Sequence, residues 1–261
     1  MKHKIFIILL LLSSINLFSQ TLCRTDILNG EKIIPENQLI DFKEYDFSNL
    51  WLKTENNSIY GVIGDDNQRI LMKILSAKKD NNNPFEYFIL GKSSVKGNIC
   101  DFTGKITIQK IQKSERTKFG IDDEFNNHSK THGLLIAKYE FFESKDQKHS
   151  GTFNGELKTK WFLDKNYQVK YDNINAHSDG YFNNAFVGIW KMYNSNTEKK
   201  CNWGDYRVPN IDCDFDIGVG EFNVSEKYWN KGWLDIALNN KMPNGAIVEP
   251  KANKAGRAWW Q

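Results

Sequence analysis

The residue types best suited to chemistry gather in positions 177–233, where histidine, aspartate, tyrosine and tryptophan alternate with glycine and asparagine. Aromatic faces stack on sugar rings or flat molecules, and nearby carboxylates and amides fix polar groups, so this composition points to a glycan or a small polar-aromatic ligand. At its centre, residues 201–210 read Cys-Asn-Trp-Gly-Asp-Tyr-Arg-Val-Pro-Asn. There Trp203 and Tyr206 would form a platform, Asp205 would accept ligand hydroxyls, and Arg207 would offer its donor fork to a carboxylate or phosphate. Asp216 and Glu221 complete the expected ligand-binding set. The same segment has a simpler structural reading, in which Asp205 pairs with Arg207 across a turn, Trp203 covers a small core and a disulfide locks the loop.

Downstream, Asp212, Asp214 and Asp216 alternate with Ile211, Cys213, Phe215 and Ile217. On a strand, a period of two places the three carboxylates on one face, where they repel unless a cation or basic side chains neutralise them. A solvated face opposite lysines is the first expectation. Calcium is a weak one, because the EF-hand spacing is missing. Glycosidic hydrolysis would need two acids roughly 5 to 9.5 Å apart, and Asp179, Asp205, Asp216 and Glu221 supply acids without specifying a pair. The chain has no Gly-x-Ser-x-Gly elbow, His-Glu-x-x-His motif or glycine-rich phosphate loop, so the reading leans away from an enzyme. His128 and His132 would share a helical face near Asp122, Asp123 and Glu124, yet their surroundings read as an exposed loop. His177 and Asp179 read as a turn.

Positioning these residues falls mainly to strands. Residues 59–63 and 69–75 flank Gly64-Asp65-Asp66-Asn67, a hairpin signal. Residues 85–90 and 133–142 are further β-prone runs. Phe102, Ile106 and Ile108 alternate with Lys105, Thr107 and Gln109, which predicts a half-solvated strand. Phe153-Asn154-Gly155-Glu156-Leu157 repeats the pattern of Phe102-Thr103-Gly104-Lys105-Ile106, read as two hairpins obeying the same turn physics rather than a duplication. Residues 224–238 are the main helical prediction. They place Tyr228, Trp229, Trp233, Ile236 and Ala237 on a 3.6-residue period behind an Asn223/Glu226 capping box, and Gly232 weakens them. The expected fold class is all-β: one antiparallel barrel or sandwich with a short C-terminal helix. The barrel is slightly preferred because closure removes exposed edges and creates an interior.

Residues 1–20 read as a cleavable signal peptide, with Lys2 and Lys4 before the apolar run 5–12 and small or polar residues after it. That run is too short to span a bilayer, which takes roughly 20 apolar residues. The expected mature chain is therefore one secreted or periplasmic β-rich domain, residues 21–261, with no membrane span. Of 35 basic residues two lie in the leader, leaving 33 against 32 acids, in short runs of alternating sign. Such a balance argues against nucleic acid and anionic membranes as partners. The four cysteines suit an oxidising compartment. The preferred pairing is Cys201–Cys213, closing a short loop for roughly 3 kcal/mol, with Cys23–Cys100. Zinc spacing is absent, so no metal is expected beyond the weak calcium reading. Trp259 and Trp260 either dock or offer a protein partner an aromatic tail, and docking is simpler because an exposed pair invites aggregation. Ligand binding ranks first, a structural or protein-interaction module second, and a carbohydrate-active hydrolase third.

Overall fold

Inward apolar and outward polar residues alternate along most of the chain, and this period of two builds strands. The computed structural model describes residues 22–23, 26–239 and 258–261. The predicted leader and the turn-rich residues 243–245 and 251–256 lie outside them. In chain order the strands are β1 (Leu22–Cys23), β2 (Lys32–Ile33), β3 (Ile59–Ile63), β4 (Gln68–Lys79), β5 (Glu86–Val95) and β6 (Asn98–Glu115). They continue as β7 (Ser129–Glu143), β8 (Gly151–Asp164), β9 (Val169–Tyr171), β10 (Asn183–Met192), β11 (Glu198–Asp205) and β12 (Ile211–Asp212), followed by one helix, α1 (Leu234–Asn239).

Strands β3 to β8 form an antiparallel meander; β8 also pairs with β10, β10 with β11, and β11 returns to β3, closing a ring. The ring is filled. Phe102 of β6 stacks on Phe141 of β7 at 4.9 Å between centroids, and Phe186 of β10 stacks on Trp203 of β11 at 4.5 Å. Phe141 and Trp203 then meet at 6.4 Å, so non-adjacent walls touch. The fold is all-β with a ring-like sheet, sandwich-like rather than a clean barrel.

The repeated glycine pattern has a packing cause rather than a turn cause. Both glycines lie in mid-strand on either side of β7, Gly104 opposite Phe141 and Gly155 opposite Tyr139. A Cβ on Gly104 would come within 2.9 Å of the Phe141 ring, and one on Gly155 within 2.9 Å of the Tyr139 hydroxyl. The atoms nearest to either Cβ would be backbone, Glu140 O and Val187 O, so the glycines let neighbouring strands approach as well as leaving room for the rings.

One end of the ring is plugged. The 3₁₀ turns Leu39–Phe42 and Ser48–Trp51 bring Phe42 and Phe47 onto Trp161, with centroids 4.9 and 6.0 Å away. Outside β3, a second apolar cluster of Val62, Ile211, Phe215, Phe222, Tyr228 and Trp233 packs as an outer layer. The predicted helix 224–238 is broken there. A 3₁₀ segment, Glu226–Lys231, ends at Gly232 with φ +94°, and α1 starts afterwards. Ser225 rather than Asn223 is the N-cap, without a side-chain cap bond.

The disulfide joins Cys23 to Cys213, and Cys100 and Cys201 are free and buried. The expected Cys201–Cys213 and Cys23–Cys100 pairings are thus both wrong. Cys201 shares the inward face of β11 with Trp203, whereas Cys213 follows β12, which pairs with β1 and sets Cys23 beside it. The bridge spans 190 residues, and a closure that long removes about 5 kcal/mol of unfolded-chain entropy in the loop model. The row of aspartates is also corrected, because a turn follows Asp212. Asp212 accepts from Asn67, Asp214 pairs with Lys227 at the surface, and Asp216 is buried against Arg207. Trp259 is buried, and Lys73 Nζ lies 5.0 Å from the Trp260 ring centre. Among the described residues no helix is long and apolar enough to cross a membrane.

Candidate functional site

At the end of the ring opposite the plug, the inward residues do not meet across the interior and a cavity of about 420 Å³ remains. Each strand of the ring contributes to its wall: Ile63, Ile70, Val95, Cys100, Glu143, Phe153, Trp190 and Lys199 come from β3, β4, β5, β6, β7, β8, β10 and β11 respectively. Ser93 and Met192 add to the same surface. Lys96 and His149, both in left-handed backbone, stand at the rim on the β5–β6 and β7–β8 connections.

Glu143 is the cavity's most constrained polar group. It continues the inward row of Tyr139 and Phe141 and is only 5% exposed. One carboxylate oxygen accepts from Ser93 Oγ; the other accepts from the Gly151 amide at 2.7 Å and Trp190 Nε1 at 2.9 Å. Burial pushes its pKa up, against the pull of these three donors. The nearby Cys100 thiol is pushed up to about 11 by burial and the Glu143 charge, so it is no activated nucleophile. The arrangement can bind and orient a small molecule by apolar contact along part of the wall and hydrogen bonding at Glu143, Ser93 and the other polar lining residues, among them Gln68, Asn98 and His149.

The expected site residues do not converge on this cavity. Trp203 is core, 6.1 Å from Phe153 between ring centres. Asp205 lies at the plugged end, where its Oδ2 accepts from Thr54 Oγ1 at 2.6 Å, Asn184 Nδ2 at 2.6 Å and Tyr171 OH at 2.9 Å. Burial raises it to about 7, with those donors opposing. Arg207 is buried and pairs with Asp216, not Asp205; its remaining donors reach the carbonyls of Gly218, Val219 and Gly220. Its fork clamps the 216–220 loop and is spent there. Tyr206 and Glu221 stay nearer solvent, on a separate depression. Asp205 and Asp216 occupy different buried networks, so these two face no common cleft.

The histidine expectation is half corrected. His128 is exposed, but His132 is buried on β7 with Nε2 2.7 Å from Ser129 Oγ, and burial together with Arg116 lowers its pKa to about 4. Among the described residues no group of three or more His, Cys, Asp or Glu side chains is arranged to hold a metal. Sequence reasoning missed Ser93, Cys100, Glu143 and Trp190 as a set. The available signal was parity: Glu143 falls in phase with two aromatics on an apolar strand face. Comparison with protein-family models, curated proteins and solved structures finds no match to this chain.

Proposed function

We propose that this protein binds a small, flat, largely apolar molecule in the mouth of the ring, and that it works secreted or in a periplasm. The observation that carries this reading is the cavity to which all the ring strands contribute an inward side chain. Ile63, Ile70, Val95, Phe153, Trp190 and Met192 form its apolar wall, Glu143 and Ser93 supply a buried polar point, and Asp66, Gln68, Lys96, Asn98, His149 and Lys199 add polar groups. The leader-like residues 1–20 and the Cys23–Cys213 bridge support an oxidising destination.

Thermal stability and tryptophan emission, measured against aromatic acids, aromatic amines and medium-chain fatty acids, test the reading. A ligand that binds only the folded state at 100 times its Kd adds about 2.7 kcal/mol. The expected result is a dose-dependent rise in Tm with a change in emission, both lost in Met192→Trp, which fills the mouth. Absence of a shift with every class, or a shift that survives Met192→Trp, overturns it.

A further inference from the structure

A second concave surface lies outside the ring, near its plugged end. Three connections build it: residues 116–128 between β6 and β7, residues 172–182 between β9 and β10, and the segment after β11. They enclose a depression of about 610 Å³ whose wall includes Tyr60, Phe162, Tyr181, Tyr206, Glu221 and Phe222. His128, Phe162 and Asn173 also line a neighbouring depression of about 520 Å³ that runs on past Lys53 and Lys170. The two depressions share this wall and are taken together as one groove.

Its aromatic rings are held rather than loose. Tyr60 stacks on Phe222 at 4.2 Å, and Tyr181 meets Tyr206 edge-on at 5.4 Å. Behind them Tyr181 and Phe222 are buried, while Tyr60, Phe162 and Tyr206 are half-buried and keep part of each ring for the groove. Tyr206 is further fixed by a left-handed backbone, φ +70°, and by its amide donating to Ser58 O at 2.6 Å. Asn173, Ser178, His177 and Glu221 add hydrogen-bonding groups to the same wall.

Charge narrows the ligand class. The one arginine on the wall, Arg207, has its donors committed to Asp216 and three carbonyls, so it has no fork left for an anion. The other charges are mixed, Glu221 and Asp164 against Lys53 and Lys170, with Lys170 Nζ 3.5 Å from Asp164. An extended peptide would seek an unpaired strand edge, and the edge strand bordering the groove, β9, is only three residues long. Ring faces and hydrogen-bonding groups on one wall suit pyranose rings, whose apolar faces stack while their rim hydroxyls bond.

We propose that this groove binds a neutral oligosaccharide chain, with sugar rings stacked on Tyr60, Tyr206 and Phe162 and hydroxyls held by Glu221 and Asn173. The proposal stands independently of the ring-mouth reading. Calorimetric titration of the full mature chain with cellohexaose, maltohexaose, chitohexaose and mannohexaose tests it, alongside a sulfated hexasaccharide and a pool of hexapeptides. At least one neutral hexasaccharide is expected to bind, more tightly than its disaccharide. Affinity is expected to fall roughly tenfold in Tyr206→Ala and again in Phe162→Ala, the loss of one stacking ring each. Glu221→Gln should weaken it by less, and Met192→Trp should leave it unchanged, which separates this site from the mouth. Circular dichroism and Tm confirm that each variant is folded. Binding of the sulfated sugar or the peptides alone, failure of all four neutral hexasaccharides, or affinity indifferent to both ring variants overturns the proposal.

Discussion

Glu143 and Asp205 stand at opposite ends of the same ring, and the two ends use the same interior chemistry to different effect. Each carboxyl faces inward, is almost fully buried, and is held by three neutral donors: Ser93, Trp190 and the Gly151 amide for one, Thr54, Asn184 and Tyr171 for the other. Burial raises the pKa of both. What differs is the cover. At the Asp205 end, the turns Leu39–Phe42 and Ser48–Trp51 fill the opening, and Trp51, Thr159 and Asn184 extend the hydrogen-bond network. At the Glu143 end no such segment enters among the described residues, and the cavity remains. A buried acid is therefore a packing element or part of a cavity wall depending on what chain lies above it, not on its own environment within the sheet.

The largest test of that contrast is truncation on the two sides. Trp161→Ala, beneath the plug, is expected to cost about 3–5 kcal/mol, whereas Met192→Ala, on the cavity wall, should cost about 1 kcal/mol or less because its side chain has fewer neighbours to lose. Chemical denaturation midpoints compare the two, and equal losses would break the distinction between a packed end and an open one.

Removing one donor from each acid sharpens it. Thr54→Val leaves a sealed carboxyl short of a partner and should cost about 1–3 kcal/mol. Ser93→Ala should cost under about 1 kcal/mol, because water entering from the cavity can replace the hydroxyl. The reverse order in urea titrations would mean that the Glu143 end is sealed as well.

A third test is in pH. The Asp205 carboxyl rises from 3.8 to about 7 on folding, so between those values the folded chain keeps a proton that the unfolded chain has released. Its contribution to stability then falls as pH rises from about 4 to 7 and is level above. Asp205→Asn removes that slope, so the stability of the variant relative to the parent should climb across this interval. His132, lowered to about 4, contributes the opposite slope, but it is common to both proteins and cancels in the difference. Parallel profiles would show that the plugged acid ionises as freely as one in water.

Local periodicity made much of the sheet legible. The hairpin around Gly64–Asn67 is found between β3 and β4, and the alternation through Phe102, Ile106 and Ile108 is the inward row of β6. The likeness between residues 102–106 and 153–157 was visible, but its cause was not, because it depends on β7 lying between the two strands. The candidate site was far less legible. The run read as 133–142 stops one residue before Glu143, and a single carboxylate in phase with aromatics has no meaning until other strands surround it. The cluster at 203–221 was chemically suggestive, yet Arg207 and Asp216 satisfy each other, and Trp203 and Asp205 point into the ring.

What the sequence by itself determined was the class of fold and the strands of the β3–β8 meander, because a period of two is encoded between near neighbours; β10 and β11 were not read from it. Which strand closes the ring, which cysteine finds Cys23, and which acid overlooks a cavity were decided only in the tertiary structure. Those outcomes rest on register between distant segments, such as β11 against β3 and β1 against β12. Residues far apart in the chain meet there under the geometry of the whole ring, and their spacing in the sequence does not encode it.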